Sequence, residues 1–139
     1  MELPGEVREM VCRGCRVAVV GASPSPDRPV HSVMGYLLSR GFDLYPVNPR
    51  YAGEEIWGIR CLSSLSELPG EVDVVDVFVN PSRLPEVVEE VKALPYRPVV
   101  WLQPGAERED VAESLRSGGY TVVSGICLKV AHMSLCAKG

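Results

Sequence analysis

Short valine-rich runs alternate with stretches of helical periodicity along this chain, and that rhythm restricts the possible folds more than any single residue does. The runs read as strands at Arg16–Val20, Asp43–Val47, Val72–Val79, Pro98–Leu102 and Tyr120–Val123. Between them, Val30, Val33, Met34, Leu37 and Leu38 recur at helical spacing, as do Leu84, Val87, Val88, Val91 and Leu94. Gly41 is a natural stop for the first of these helices, and Ser82 is placed to cap the second. Glu107–Ser117 and Ile126–Leu135 complete the helices, and Glu2–Val11 reads as a short leading one. The segment Tyr51–Glu67 is irregular, with room for a short strand near Ile59–Cys61. Strands separated by helices must run parallel and cross over with the right hand. The expectation is therefore one α/β domain over residues 1–139: a Rossmann-like three-layer fold with a five-stranded, mostly parallel sheet in the order 3-2-1-4-5.

In such a sheet a ligand lies at the carboxyl ends of the strands, where the winding reverses. Five turns converge there: Gly21-Ala22-Ser23, Asn48-Pro49-Arg50, Val79-Asn80-Pro81, Gln103-Pro104-Gly105 and Ser124-Gly125. All are poor in acid. The first turn leads from a buried strand through a proline-rich loop into a helix N-terminus, an arrangement that attracts phosphate. It carries only the first glycine of a G-x-G-x-x-G fingerprint, with Ser23 and Pro26 in the other two places. An NAD site also wants a carboxylate after the second strand. Here Asn48-Pro49-Arg50 stands instead, and Arg50 would attract a phosphorylated ribose. Coenzyme A and NADP both fit that pattern, and NAD fits it poorly. His31, in the first turn of the helix, is read as a further phosphate contact.

Composition limits the alternatives. The net charge is −4, from 14 basic and 18 acidic residues, and no basic run offers a nucleic-acid surface. No segment approaches the ~18 apolar residues of a membrane span, and M-E-L-P-G-E-V-R-E has no signal core, so a cytoplasmic protein is expected. Five cysteines in that setting are expected to be mainly free thiols. Cys12-x-x-Cys15 is half a zinc site, and His132 and Cys136 would complete it if the chain ends met. Two loose thiols and no metal is the preferred reading. Neither histidine has an evident nucleophile partner, so hydrolase chemistry lacks support. Asp76, inside an apolar run, needs a hydrogen-bonding partner and is read as structural.

Several blocks resemble a known family. V-G-A-S-x-x-x-x-R-P, G-F-D-L-Y-P-V-N-P-R, G-E-E-I-x-G, V-D-V-F-V-N-P, V-W-L-Q-P-G and C-L-K-V-A-H come in the order of the small bacterial and archaeal CoA-binding proteins. These are similar to the CoA-binding domain at the amino end of the succinyl-CoA synthetase alpha chain. The resemblance covers about residues 5–135. It implies a Rossmann-like fold that binds CoA, often as a homodimer, without an established reaction. Carried onto matching positions, it puts Gly21, Ala22 and Ser23 near the pyrophosphate and Arg28 facing phosphate. Asn48, Pro49 and Arg50 would flank the phosphorylated ribose. Val79, Asn80 and Pro81 would cover the adenine or the start of the pantetheine, Gln103 and Gly105 would line the pantetheine path, and Cys127 would lie near its far end. The family usually has Asp-Arg before that cysteine and Glu before the histidine. Gly125-Ile126 and Ala131 stand there in this chain, so a function resting on that acid–base cluster is not carried over.

The expected function is binding of coenzyme A or an acyl-CoA as a carrier or sensor, rather than catalysis. An NADP-dependent or other nucleotide-binding oxidoreductase is one alternative, and a non-enzymatic docking module is another. Cys127 begins the closing helix, where a helix N-terminus favours a thiolate that would form a mixed disulfide with a CoA thiol within reach; burial as a small apolar residue is the preferred reading. That helix also carries Leu128, Val130, Met133 and Leu135, an apolar set that points to pairing of two copies.

Overall fold

The computed structural model describes residues 3–136. In chain order the elements are α1 (Gly5–Arg13), β1 (Arg16–Val20), α2 (Pro29–Ser39), β2 (Asp43–Val47), β3 (Glu55–Ile56), β4 (Ile59–Arg60), β5 (Val74–Val77), α3 (Leu84–Lys92), β6 (Val99–Leu102), α4 (Glu109–Ser117), β7 (Val122–Ser124) and α5 (Leu128–Leu135). The main sheet is wholly parallel in the order β2-β1-β5-β6-β7, with Ala18 beside Tyr45 on one side and Val75 on the other. β3 and β4 form a small hairpin.

The Rossmann-type order depends on a detail at the sheet edge. Leu62 bridges in parallel to Val47, donating to Pro46 O at 2.9 Å and accepting from Asn48 N at 2.8 Å. Counted as the third strand, this one-residue rung gives 3-2-1-4-5 along the sheet, with β7 added beyond. The run expected over Val72–Val79 thus takes the fourth place, beside β1. The winding reverses between β1 and β5.

Alternation along the strands sorts side chains into two cores. Val17, Val19, Val74 and Trp101 face α1, α2 and α5, against Val11, Met34, Leu37 and Leu128. Ala18, Val20, Val75, Val77, Val100 and Leu102 face α3 and α4, against Leu84, Val91, Ala112 and Leu115. Each fully buried valine or leucine contributes about 1.5–3 kcal/mol, so it is the sheet's two-sided burial that makes these runs nearly continuous in apolar residues.

Three expectations need correction. Ser82 does not cap α3: Asn80 Oδ1 accepts from Ser82 N at 2.9 Å and starts a 3-10 turn over Pro81–Arg83 that runs into the helix. The leading helix runs Gly5–Arg13, and the Glu2 proposed for its start lies outside the described residues. Cys12 and Cys136 are not free thiols but form a disulfide, with Cα atoms 5.1 Å apart. The reason is tertiary: α1 and α5 pack side by side on one face, which brings cysteines 124 residues apart into contact. Cys15, Cys61 and Cys127 remain free.

Candidate functional site

The first turn is shaped by Gly21. Its φ is +91°, and a Cβ there would stand 3.0 Å from both Phe78 C and Phe78 O. Only glycine lets β1 end so close to the backbone that follows β5. Ala22 is fully buried, and its carbonyl accepts from Asn48 Nδ2 at 2.9 Å. Asn48 Oδ1 in turn accepts from Arg50 N at 3.0 Å. Asn48 therefore ties the first turn to the second and caps the 3-10 turn Pro49–Tyr51 that carries Arg50. Asn80 does the same after β5, in a turn that carries Arg83.

These turns surround a cleft of about 640 Å³ at the carboxyl ends of β1, β5 and β6, within the usual range for small-molecule sites. Gly21, Ser23, Arg28, Asn48, Arg50, Val79, Asn80, Gln103, Gly105 and Cys127, all expected from the sequence, line it. Ala22, Pro49, Pro81 and His31 do not. Ala22 is turned into the core, while Pro49 and Pro81 each open a 3-10 turn just behind the rim. His31 stacks on Trp57 at 4.8 Å between ring centroids, and its carbonyl accepts from Trp57 Nε1 at 2.9 Å. The β3–β4 hairpin thus holds the imidazole against Trp57, outside the lining of the cleft.

Charge gives the cleft its character. Arg28, Arg50 and Arg83 line it, and among the described residues no carboxylate does, although the chain as a whole is acidic. The helix N-terminus contributes less than its position promised. Pro29 at its first position has no N–H, and the His31 N–H is already donated to Arg28 O at 3.0 Å. The guanidinium groups, whose forked donors suit phosphate, are the stronger anion-attracting feature of the cleft. Arg83 was missed from the sequence. Its signal was the repeat of Asn-Pro before an arginine, at 48–50 and again at 80–83. Phe78, Val79, Val30, Val33 and Ala106 add an apolar wall.

The cleft thus joins a set of guanidinium groups to an apolar wall. The family described as CoA binding domain matches residues 15–133. The chain belongs to that family. Over 127 residues it is 39% identical to the uncharacterized protein YneT of Bacillus subtilis, covering 91% of this chain and 92% of that one. It is also 32% identical over 108 residues to the ADP-forming acetate–CoA ligase I subunit alpha of Pyrococcus furiosus. That match takes in 71% of this chain but only 23% of the subunit. Among solved structures, a Thermus thermophilus protein described as cell-free ID.343 superposes with a TM-score of 0.86 at 40% identity, covering 94% of this chain and 96% of that one. Prb, the PH1109 protein redesigned for binding, superposes with a TM-score of 0.88 at 34% identity, covering 99% and 96%.

In this member of the family a buried polar pair lies behind the cleft, with Gln103 on its lining. Gln103, 3% exposed, donates from Nε2 to Asp76 Oδ1 at 2.6 Å. Asp76 is fully buried on β5, and its other oxygen has no partner. Burial pushes its carboxyl up to about 8, against the lowering effect of the Gln103 hydrogen bond. Cys127 is the N-cap residue of α5 and is half-buried at the edge of the cleft. His132 lies elsewhere, packed between Phe42 and Tyr36 with Nδ1 2.7 Å from Tyr36 Oη. Burial and, secondarily, Arg40 lower its pKa. With Cys136 in a disulfide and His132 bonded to Tyr36, the zinc reading has no ligand set, and no group of three metal-ligating side chains occurs among the described residues. No helix among them is long and apolar enough to cross a membrane.

Proposed function

We propose that the cleft binds coenzyme A or an acyl-CoA and that the protein acts as a carrier or sensor of it. The observation that carries this reading is the pairing of three cleft arginines, with no opposing carboxylate among the described residues, with an apolar wall leading to Gln103 and Cys127. In it Arg50 reads the 3′-phosphate, Arg28 and Arg83 hold the pyrophosphate, and the pantetheine follows the wall toward Cys127. Among the described residues no histidine, aspartate or glutamate lines the cleft, which favours binding over acid–base catalysis. A thermal-shift series with CoA, acetyl-CoA, NADP and NAD tests the reading. At ligand a hundredfold above Kd the stabilisation is about 2.7 kcal/mol. Stabilisation by CoA and acetyl-CoA is expected; a response to NADP alone transfers the site to the oxidoreductase reading, and no response to any ligand favours the docking module.

The position of Cys127 supports a thiol-sensing form of the same function. Its thiolate attacks CoA disulfide, forming a protein–CoA disulfide and releasing one CoA thiol. A CoA adduct on Cys127 by mass spectrometry, absent in Cys127→Ser, is the expected result. Val130 and Met133, exposed on α5, support the proposal of a homodimer, for which sedimentation at micromolar concentration should show twice the 15.1 kDa chain mass.

A further inference from the structure

The Asp76–Gln103 pair is a polar couple sealed into an apolar layer, with only one end open. By strand alternation Asp76 shares a face with Val74, and it stands in register with Val19 on β1 and Trp101 on β6. Val30, Val33 and Met34 of α2 and Leu128 and Ala131 of α5 fill the core over that face. Gln103 sits one residue past β6, where the layer opens into the cleft. One edge of its carboxamide is held by Asp76, and among the described residues its Oε1 has no hydrogen-bond partner. A carboxamide is a donor on one edge and an acceptor on the other, so whichever edge Asp76 takes, the cleft receives the opposite one.

We propose that Asp76 is a positioning residue whose protonation state sets which edge of the Gln103 carboxamide faces the cleft, and so whether the site offers a bound ligand an acceptor or a donor. This rests on the CoA reading of the cleft. With Asp76 ionised, the carboxylate can only accept. It holds Gln103 Nε2 inward, and Oε1 faces the cleft to accept an amide N–H of the pantetheine arm. With Asp76 protonated, its hydroxyl donates to Oε1, the amide turns over, and the pantetheine N–H meets an N–H instead of an oxygen. The step moves one proton from solvent to an Asp76 oxygen and breaks no covalent bond.

Among the described residues no charged side chain bonds to Asp76, while Arg28, Arg50 and Arg83 line the cleft into which Gln103 opens. The ionisable side chains on the elements packed over the Asp76 face are Glu6, Arg8, Glu9 and Arg13 on α1, Arg16 on β1, His31 and Tyr36 on α2, and Lys129 and His132 on α5, with Cys127 at the N-cap. Arg16 lies at the opposite end of β1, paired with Asp43. His31 is stacked on Trp57, His132 is bonded to Tyr36, and Lys129 lies over the Tyr36 ring. The pKa of Asp76 is moved by burial and by Gln103, with no contribution from a charged neighbour.

The test is the affinity for acetyl-CoA between pH 7 and 9, measured by calorimetry on the full chain. Acetyl-CoA has no free thiol, and its phosphomonoester, with a second pKa of about 6, is about nine-tenths doubly ionised by pH 7. The wild-type protein is expected to bind about three- to tenfold more tightly at pH 9 than at pH 7, the worth of one neutral hydrogen bond. Asp76→Asn, which cannot titrate, and Gln103→Leu, which has no edge to turn, should each give a flat profile. A flat wild-type profile overturns the proposal. So does a rise of the same size in either variant, which would place the titrating group elsewhere. If one variant does not fold, as judged by its melting curve, the other decides. Failure of the wild-type protein to bind acetyl-CoA at any pH removes the CoA reading, whereas binding with an unchanged profile in the variants removes only this inference.

Discussion

Replacing Gly21 by alanine separates two costs that usually occur together. Gly21 and Gly41 both have positive φ, +91° and +85°, so either alanine carries the left-handed backbone penalty of about 1–2 kcal/mol. At Gly41 nothing lies within 4 Å of the added Cβ, and the penalty ends there. At Gly21 the Cβ meets Phe78 C and Phe78 O at 3.0 Å, and both are backbone atoms that no rotamer change can move. The end of β1 must shift, straining the bonds from Phe78 N to Val20 O at 2.8 Å and from Gly21 N to Val47 O at 2.9 Å. Each such bond contributes about 1 kcal/mol net, which puts Gly21→Ala at roughly 2–4 kcal/mol. For a chain of this length 1 kcal/mol lowers Tm by roughly 3–4 °C. Gly21→Ala should therefore melt several degrees below Gly41→Ala in calorimetry, and it should also weaken acetyl-CoA. Losses that agree within about 0.5 kcal/mol would refute the claim that the approach of the two backbones, rather than the turn conformation, requires glycine there.

Other expectations follow from single groups. Arg50→Ala should weaken CoA by roughly 1.5–3 kcal/mol, the worth of a charge-assisted hydrogen bond, and leave dephospho-CoA nearly unchanged. Equal losses for the two ligands would remove Arg50 as the phosphate reader. Because burial raises the Asp76 pKa from 3.8 to about 8, the folded chain holds a proton that the unfolded chain releases between those values. That contribution to stability is full below pH ~4, falls by up to about 1.4 kcal/mol per pH unit as pH rises toward ~8, and is flat above it. Urea titrations of the wild type and Asp76→Asn should differ by that slope, and parallel curves would refute it. The Cys12–Cys136 disulfide closes a loop of 124 residues. Reducing it should cost about 2–4 kcal/mol, with no effect of reductant on Cys136→Ser, and an unchanged midpoint would show that the bridge does not restrain the unfolded chain.

Local pattern was enough to specify the fold class, the two-sided burial of the strands and most of the cleft. A parallel sheet needs continuous apolar strands, and helices at 3.6-residue spacing must cover both faces, so Val17–Val20 and Val74–Val77 announce their burial. The turns that reach a ligand are those at the strands' carboxyl ends, and Gly21, Asn48, Arg50, Gln103 and Cys127 were legible there because chain direction alone puts them together. What remained hidden depends on neighbours distant in sequence. The edge position of Leu62 beside Val47, the capture of His31 by Trp57, the meeting of Cys12 with Cys136 and the coupling of Asp76 to Gln103 all join separate elements. Periodicity reports which face a side chain takes, and it carries no information about which side chain arrives opposite. Only the packed sheet and its helices bring those partners within bonding distance, so the chain's pattern marked out the cleft while tertiary packing chose the partners within and around it.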